Sequence, residues 1–453
     1  MNPEFQRNLW LEASPRRMAW AGVTVGLIYF ALALMTRGGV DTARIFAAAG
    51  IVVFLACAVL WAGRAAGSSV LIEVAERTWD FQRLSALTAW EMTWGKLFGA
   101  TFLASCAGLT GIVVYLLAAQ PANPWLVVLM LAAALLVQSA SFMASLVGVR
   151  KARAEGRIAR AGSVMGGLII GYFLLSSLAA SSAFKVGGAR PNLDWFGRQG
   201  LVNWWSMTVP AEMFWSITLL VFAIFALAGA WRLMRLELQM RSEPVVWPAF
   251  LLVLAAWVAG FRVGPAGHDA SVAAAGMAMC LAAYAAAFVE PADRVALRRF
   301  ASLAVQGKAT EAARVAPAPL FPLAFAAILT LISLGMPAEG LGRVSSPAAV
   351  LAFLVRDLGV IAFFRFGPRP QRGDFSAVVA LALLYGVGSI FGGVIGRAGG
   401  TALFVPAGGE LAAFSIVSAL VQAAIAWTLA ARRIRSPETS VSAPPSGPAS
   451  APA

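Results

Sequence analysis

The chain has 453 residues, of which 60% are hydrophobic and only 12% charged, with a formal net charge of +14. A soluble domain carries roughly twice that share of charge, so a bilayer is the expected surrounding for most of the chain. Lys and Arg sit mainly in short gaps between apolar runs, where they orient a membrane protein, which argues against nucleic acid as the partner.

A membrane span needs about 20 apolar residues. Twelve are predicted: 18–36, 45–62, 97–119, 125–149, 163–184, 213–233, 247–263, 270–289, 318–336, 347–364, 375–395 and 410–431. The first apolar run, near Met18, has no small-residue cleavage site after it and reads as a span rather than a removable signal. Cys57, Cys106 and Cys280 all lie inside apolar runs, where Cys acts as a small hydrophobe. The single His268 excludes bis-histidine haem. Residues 185–212 form the largest outside loop, and its Trp195, Phe196, Trp204 and Trp205 suit a short helix at the membrane–water boundary or an aromatic belt. The Pro/Ser/Ala-rich tail 436–453 has no core to bury and is expected to be disordered.

Charge supports this layout. With the N-terminus inside, and with Arg232 and Arg262 at span ends counted with the adjoining loops, 26 of the 35 Lys and Arg fall on the inner side, 8 fall outside, and Arg356 lies within a span. That is the asymmetry of the positive-inside rule, and it places both termini in the cytoplasm. The Arg bias and high Ala content hint at a GC-rich bacterial genome, and so at a bacterial inner membrane.

The halves echo each other. Glu73-Val-Ala-Glu76-Arg77 follows the second span, and Glu290-Pro-Ala-Asp293-Arg294 follows the eighth. "VPAEMFWSITLL" from Val209 precedes the sixth span, and "VPAGGELAAFSI" from Val405 precedes the twelfth. The expected fold is therefore an all-α integral membrane protein of two six-helix parallel repeats, residues 1–240 and 241–435, an arrangement that recurs in transporters.

Between the second and third spans, residues 73–96 read as a short amphipathic helix with a break near Ser85–Thr88, Thr78 serving as its N-cap. Such a helix lies on lipid or fills a groove in a partner protein. Its Glu73, Glu76, Arg77, Thr78, Leu84, Leu87, Thr88, Gly95 and Lys96 match a pattern that resembles the type-2 ABC transporter permease family. Where that family usually has Gly before the Thr, this chain has Arg77. The N-terminal stretch with Phe5, Leu9 and Ala13 on one face resembles the family's elbow helix, and the Trp-rich loop its re-entrant helices. The resemblance implies that 73–96 is a coupling segment docking into a separate ATP-binding subunit, which would hold the ATP and Mg. Over the second half the resemblance is fainter, and Glu290, Asp293 and Arg294 open a coupling-like segment, 290–314, that lacks the Leu-Thr…Gly-Lys continuation. Either one chain supplies both halves of the path, or two chains form a homodimer.

No P-loop is present in the sequence: Gly307-Lys308 runs into Ala309 and lacks the upstream Gly. No nucleophile–His–acid set can be assembled, so an enzyme is not expected, nor a bound cofactor or metal. Arg356 and Asp357 stand inside a span, where charge is costly and marks a structural polar contact or a transport pathway. Neighbours on a helix project about 100° apart, so each is expected to pair with another helix. Glu212 and Glu410 are expected to be interfacial. The leading expectation is the permease subunit of an ABC exporter. The alternatives are an ion-coupled secondary transporter, with Arg356 and Asp357 as its coupling charges, and a membrane scaffold that transports nothing.

Overall fold

A computed structural model describes residues 2–36, 42–85, 87–154, 200–261, 268–335, 346–368 and 370–435. The predicted span 163–184, most of the Trp-rich loop and the tail 436–453 lie outside these residues. Among the described residues nine helices are long and apolar enough to cross a membrane. The chain is thus a multi-pass helical membrane protein.

The first part of the chain holds α1 (Pro3–Glu12), α2 (Pro15–Met35), α3 (Thr42–Ala75), α4 (Trp79–Arg83), α5 (Ala89–Ala118), α6 (Pro124–Ala154) and α7 (Ala211–Glu237). The remainder holds α8 (Val246–Ala259), α9 (His268–Val289), α10 (Arg294–Val305), α11 (Ala309–Arg314), α12 (Leu320–Leu334), α13 (Pro347–Arg365), α14 (Gly373–Thr401) and α15 (Ala412–Arg435). The helices α8 and α12 cover the predicted spans 247–263 and 318–336 but have only 14 and 15 residues. At 1.5 Å per residue they reach about 22 Å, short of the roughly 30 Å hydrocarbon core.

Helix boundaries depart from the hydropathy prediction where packing extends them. α3 runs 34 residues, to Ala75 rather than Ala62. Its middle, Leu55–Trp61, is a π-helix. There Gln138 Nε2 on α6 donates to Ala58 O at 2.8 Å, a buried bond to a carbonyl of the widened turn. Gly50 and Gly111 let α3 and α5 meet backbone to backbone, since a Cβ on either would overlap the other helix. α5 starts at Ala89, eight residues before the predicted span, because Thr88 and Glu91 form a capping box.

The same packing scheme appears in both parts. Counting predicted spans, the second packs on the third and fourth, and the fourth on the sixth: α3 on α5 and α6, then α6 on α7. In the remainder α9 packs on α12 and α13, and α13 on α15. One core surrounds Trp79, Met92, Phe142 and Met234, and another surrounds Leu251, Met279, Leu354 and Ile361. α2 and α14 are the exceptions, each with 6% of its apolar window buried.

The described end of the Trp-rich loop is not a helix. Leu201–Trp204 and Met207–Pro210 form an antiparallel hairpin, Trp204 opposite Met207, with Trp205 at positive φ in the turn. Trp204 Nε1 donates to Trp257 O at 3.0 Å and Trp205 N to Gly260 O at 2.6 Å, seating the hairpin on the end of α8. Backbone pairing and indole bonds with α8, both long-range, override the helical expectation. At the opposite end, which we call the base, α1 meets the start of α5 and Arg298 donates to Ile434 O at 2.5 Å, so residues 2 and 435 share one end.

Candidate functional site

Three polar centres stand out, two at the base and one inside the second bundle. The first is built around Lys96, a fully buried side chain near the start of α5. Its Nζ donates to Glu4 Oε1 at 2.7 Å, to Glu73 Oε2 at 2.5 Å and to Gln82 Oε1 at 2.6 Å, and lies 5.3 Å from the Trp79 ring. Arg7 Nη2 reaches Glu73 Oε1 at 2.5 Å. Four elements are thereby tied: α1, the end of α3, α4 and α5. A buried charge persists only when paired and fully hydrogen-bonded, and this lysine has three oxygen partners for three protons.

This geometry divides the predicted coupling segment. Glu73 and Lys96 face inward and hold the loop, while Glu76, Arg77, Thr78 and Leu84 are exposed and Leu87 is half-buried. Thr78 does not cap α4. Its Oγ1 and N both donate to Glu73 O, at 3.3 and 2.9 Å, and close α3. Arg77 has φ 59°, the left-handed terminator conformation in which glycine is preferred. The outermost groups are apolar: Phe81 is 79% and Leu84 85% exposed. The N-terminal helix differs from expectation. It buries Glu4 and Asn8 against α5, and of the predicted apolar face Phe5 stacks near Trp94 and Phe102.

The second base centre is at Glu290. Its Oε2 accepts from Ala318 N at 2.8 Å, joining the end of α9 to the approach of α12, as Glu73 joins α3 to α5. Burial pushes its carboxyl up to about 7, against the opposing pull of the Ala318 amide and of Arg365, Arg150 and Arg232. Asp293 caps α10 by accepting from Val295 N at 2.8 Å and Ala296 N at 3.1 Å. Arg294 Nη2 donates to Phe366 O at 2.6 Å. The segment between carries two exposed helices, α10 and α11, in place of the single short α4.

The third centre is Arg356, nine residues from either end of α13 and 1% exposed. The expectation that Arg356 and Asp357 pair with other helices only is corrected: Arg356 Nε donates to Asp357 Oδ1 at 2.7 Å. The long guanidinium stem bridges the angular offset between neighbours. Other helices complete the set. Tyr284 OH and Tyr385 OH donate to Asp357 Oδ2 at 2.5 and 2.7 Å, and Arg356 Nη1 donates to Gln422 Oε1 at 3.1 Å. Arg356 Nη2 is buried without a hydrogen-bond partner among the described residues.

Beside it the end of α14 folds back. Residues eight apart on a straight helix are separated by about 12 Å, yet a Cβ on Gly392 would overlap the backbone of Gly400. After this reversal Leu403 O accepts from Ser418 Oγ at 3.0 Å and Gln422 Nε2 at 2.8 Å. Non-helical backbone at membrane depth is tolerated where protein groups satisfy it, and α15 supplies them.

Glu4, Arg7, Gln82, Tyr284, Tyr385 and Gln422 were not singled out from sequence. Only Gln422, a lone amide inside an apolar run, carries a local signal. Glu212 bonds Asn123 at the end of α7 away from the base, and Glu410 lies in a short 3₁₀ turn before α15. Compared with protein-family models, curated proteins and solved structures, the chain matches none.

Proposed function

We propose that the chain is the membrane subunit of an ATP-driven exporter of the type-2 ABC permease kind, in a bacterial inner membrane, with ATP hydrolysed by a separate subunit. The observation that carries this reading is the α4 loop: two exposed apolar residues, Phe81 and Leu84, on a short helix held by the Lys96 network. A rigid apolar tip outside the bilayer suits a groove on a soluble partner, because a pre-ordered element loses little entropy on docking. The matching packing of α3, α5, α6 and α7 with α9, α12, α13 and α15 supports two parallel six-helix repeats. Phe81→Asp combined with Leu84→Asp should leave the fold intact and abolish copurification of an ATP-binding subunit with this chain. Undiminished copurification would sink the coupling assignment.

A second reading, an ion-coupled secondary transporter, is favoured by the buried Arg356–Asp357 pair. In proteoliposomes holding this chain alone, uptake driven by a proton gradient and lost in Asp357→Asn would establish it. Absence of gradient-driven uptake would leave the ATP-driven reading in place.

A further inference from the structure

Where the two bundles meet at the base, basic side chains outnumber acidic ones. Lys151, near the end of α6, pairs with Asp374 at the start of α14 and donates to Phe288 O at 2.8 Å. Arg365 Nε, at the end of α13, lies 2.9 Å from Asp374 Oδ1. Glu237, the last residue of α7 and 2% exposed, takes Arg153 at 3.0 Å and Arg150 at 3.6 Å. Each of these two carboxylates already serves two cations.

Arg232 is left over. It has no ion pair among the described residues, and its Nε is buried with no hydrogen-bond partner there. Arg150 is close enough to oppose its charge, and the acid that favours it, Glu290, spends an oxygen on the Ala318 amide. Five cations thus face three acids, and the excess is concentrated on Arg232 and Arg150. Arg232 is half-buried, and a charge partly withdrawn from water without a partner is costly.

The depth of the site indicates what compensates it. α7 has 27 residues, about 40 Å at 1.5 Å per residue against a core of roughly 30 Å. Arg232, five residues from its end, is within side-chain reach of headgroup level. Guanidinium groups grip phosphate oxygens through paired N–H donors, and basic pockets between spans on the cytoplasmic side take acidic headgroups. We infer that the joint between the bundles, centred on Arg232 and Arg150, is a binding site for a phosphate group, carried by an acidic lipid or free in solution. This site stands independently of the coupling reading, since neither α4 nor an ATP-binding subunit enters the argument.

The test uses the full chain purified from a membrane containing phosphatidylglycerol and phosphatidylcholine. Native mass spectrometry after detergent exchange should show phosphatidylglycerol retained over phosphatidylcholine, with retention reduced about tenfold by Arg232→Gln and largely kept by Arg232→Lys. If phosphatidylglycerol is not retained but millimolar inorganic phosphate raises the melting temperature, and Arg232→Gln removes that rise, the occupant is free phosphate and the site stands. Retention unaltered by Arg232→Gln, or no response to either probe, overturns it. Should Arg232→Gln fail to fold, the wild-type protein decides. Salt at about 1 M shortens the screening length to about 3 Å and should strip the lipid or erase the phosphate shift, and persistence of both overturns the site.

Discussion

Glu73 and Glu290 open the same short motif and occupy equivalent places at the base, yet they solve burial differently. Glu73 is met by two cations, Lys96 and Arg7, at 2.5 Å each. Among the described residues Glu290 has no such contact. It is held by one backbone amide, with arginines beyond it, and its carboxyl sits at about 7. An acid at a loop base thus becomes a fixed strut when a lysine on the next helix is within reach, and a titrating group when it is not. The first loop is correspondingly short and tied down, and the second is long and exposed.

The largest effect should come from breaking the strut. Lys96→Met leaves Glu4 and Glu73 buried without their shared cation and should cost about 3–5 kcal/mol, read as a fall in the unfolding midpoint in detergent. Adding Glu73→Gln should recover part of the loss, because the two sites are coupled. A fully additive double variant would show that the network is not a unit.

The next effect tests the titrating partner. The folded Glu290 carboxyl keeps its proton to about pH 7, whereas 4.5 is its ordinary value. The folded state therefore binds more protons between those limits, and stability is greatest below about pH 4.5 and declines as pH rises toward 7. At 1.36 kcal/mol per pH unit the decline is on the order of 3 kcal/mol at most. Glu290→Gln should flatten this part of the stability profile, and an unchanged slope would show that another group titrates.

The smallest effect is at Arg77. Its φ of 59° costs a side-chain-bearing residue about 1–2 kcal/mol relative to glycine. Arg77→Gly should therefore stabilise the chain by about 1 kcal/mol, measured by thermal unfolding. A destabilised variant would mean that the arginine makes up for its strain through contacts of its own.

The sequence is most legible where a signal is local. Apolar runs longer than a bilayer is thick placed the long helices, and the alternation of charge with apolarity placed the base loops. The partners of each polar group are not legible in it. Arg356 and Asp357 were visible as charges in a span, but Tyr284, Tyr385 and Gln422 come from three other helices and share no spacing with them. The hairpin at Leu201–Pro210 is not legible for a similar reason, since the Trp204 indole and the Trp205 amide bond to the end of α8, some 50 residues away.

The sequence by itself determined that this chain lives in a membrane as many helices, because backbone groups in hydrocarbon must be satisfied within each segment. It also determined that the motif beginning at Glu73 recurs at Glu290. Only the tertiary structure decided which acid meets a cation, which arginine is left without one, and where α14 turns back on itself. Those outcomes depend on distances between helices far apart in the chain, and no local pattern of residues encodes them.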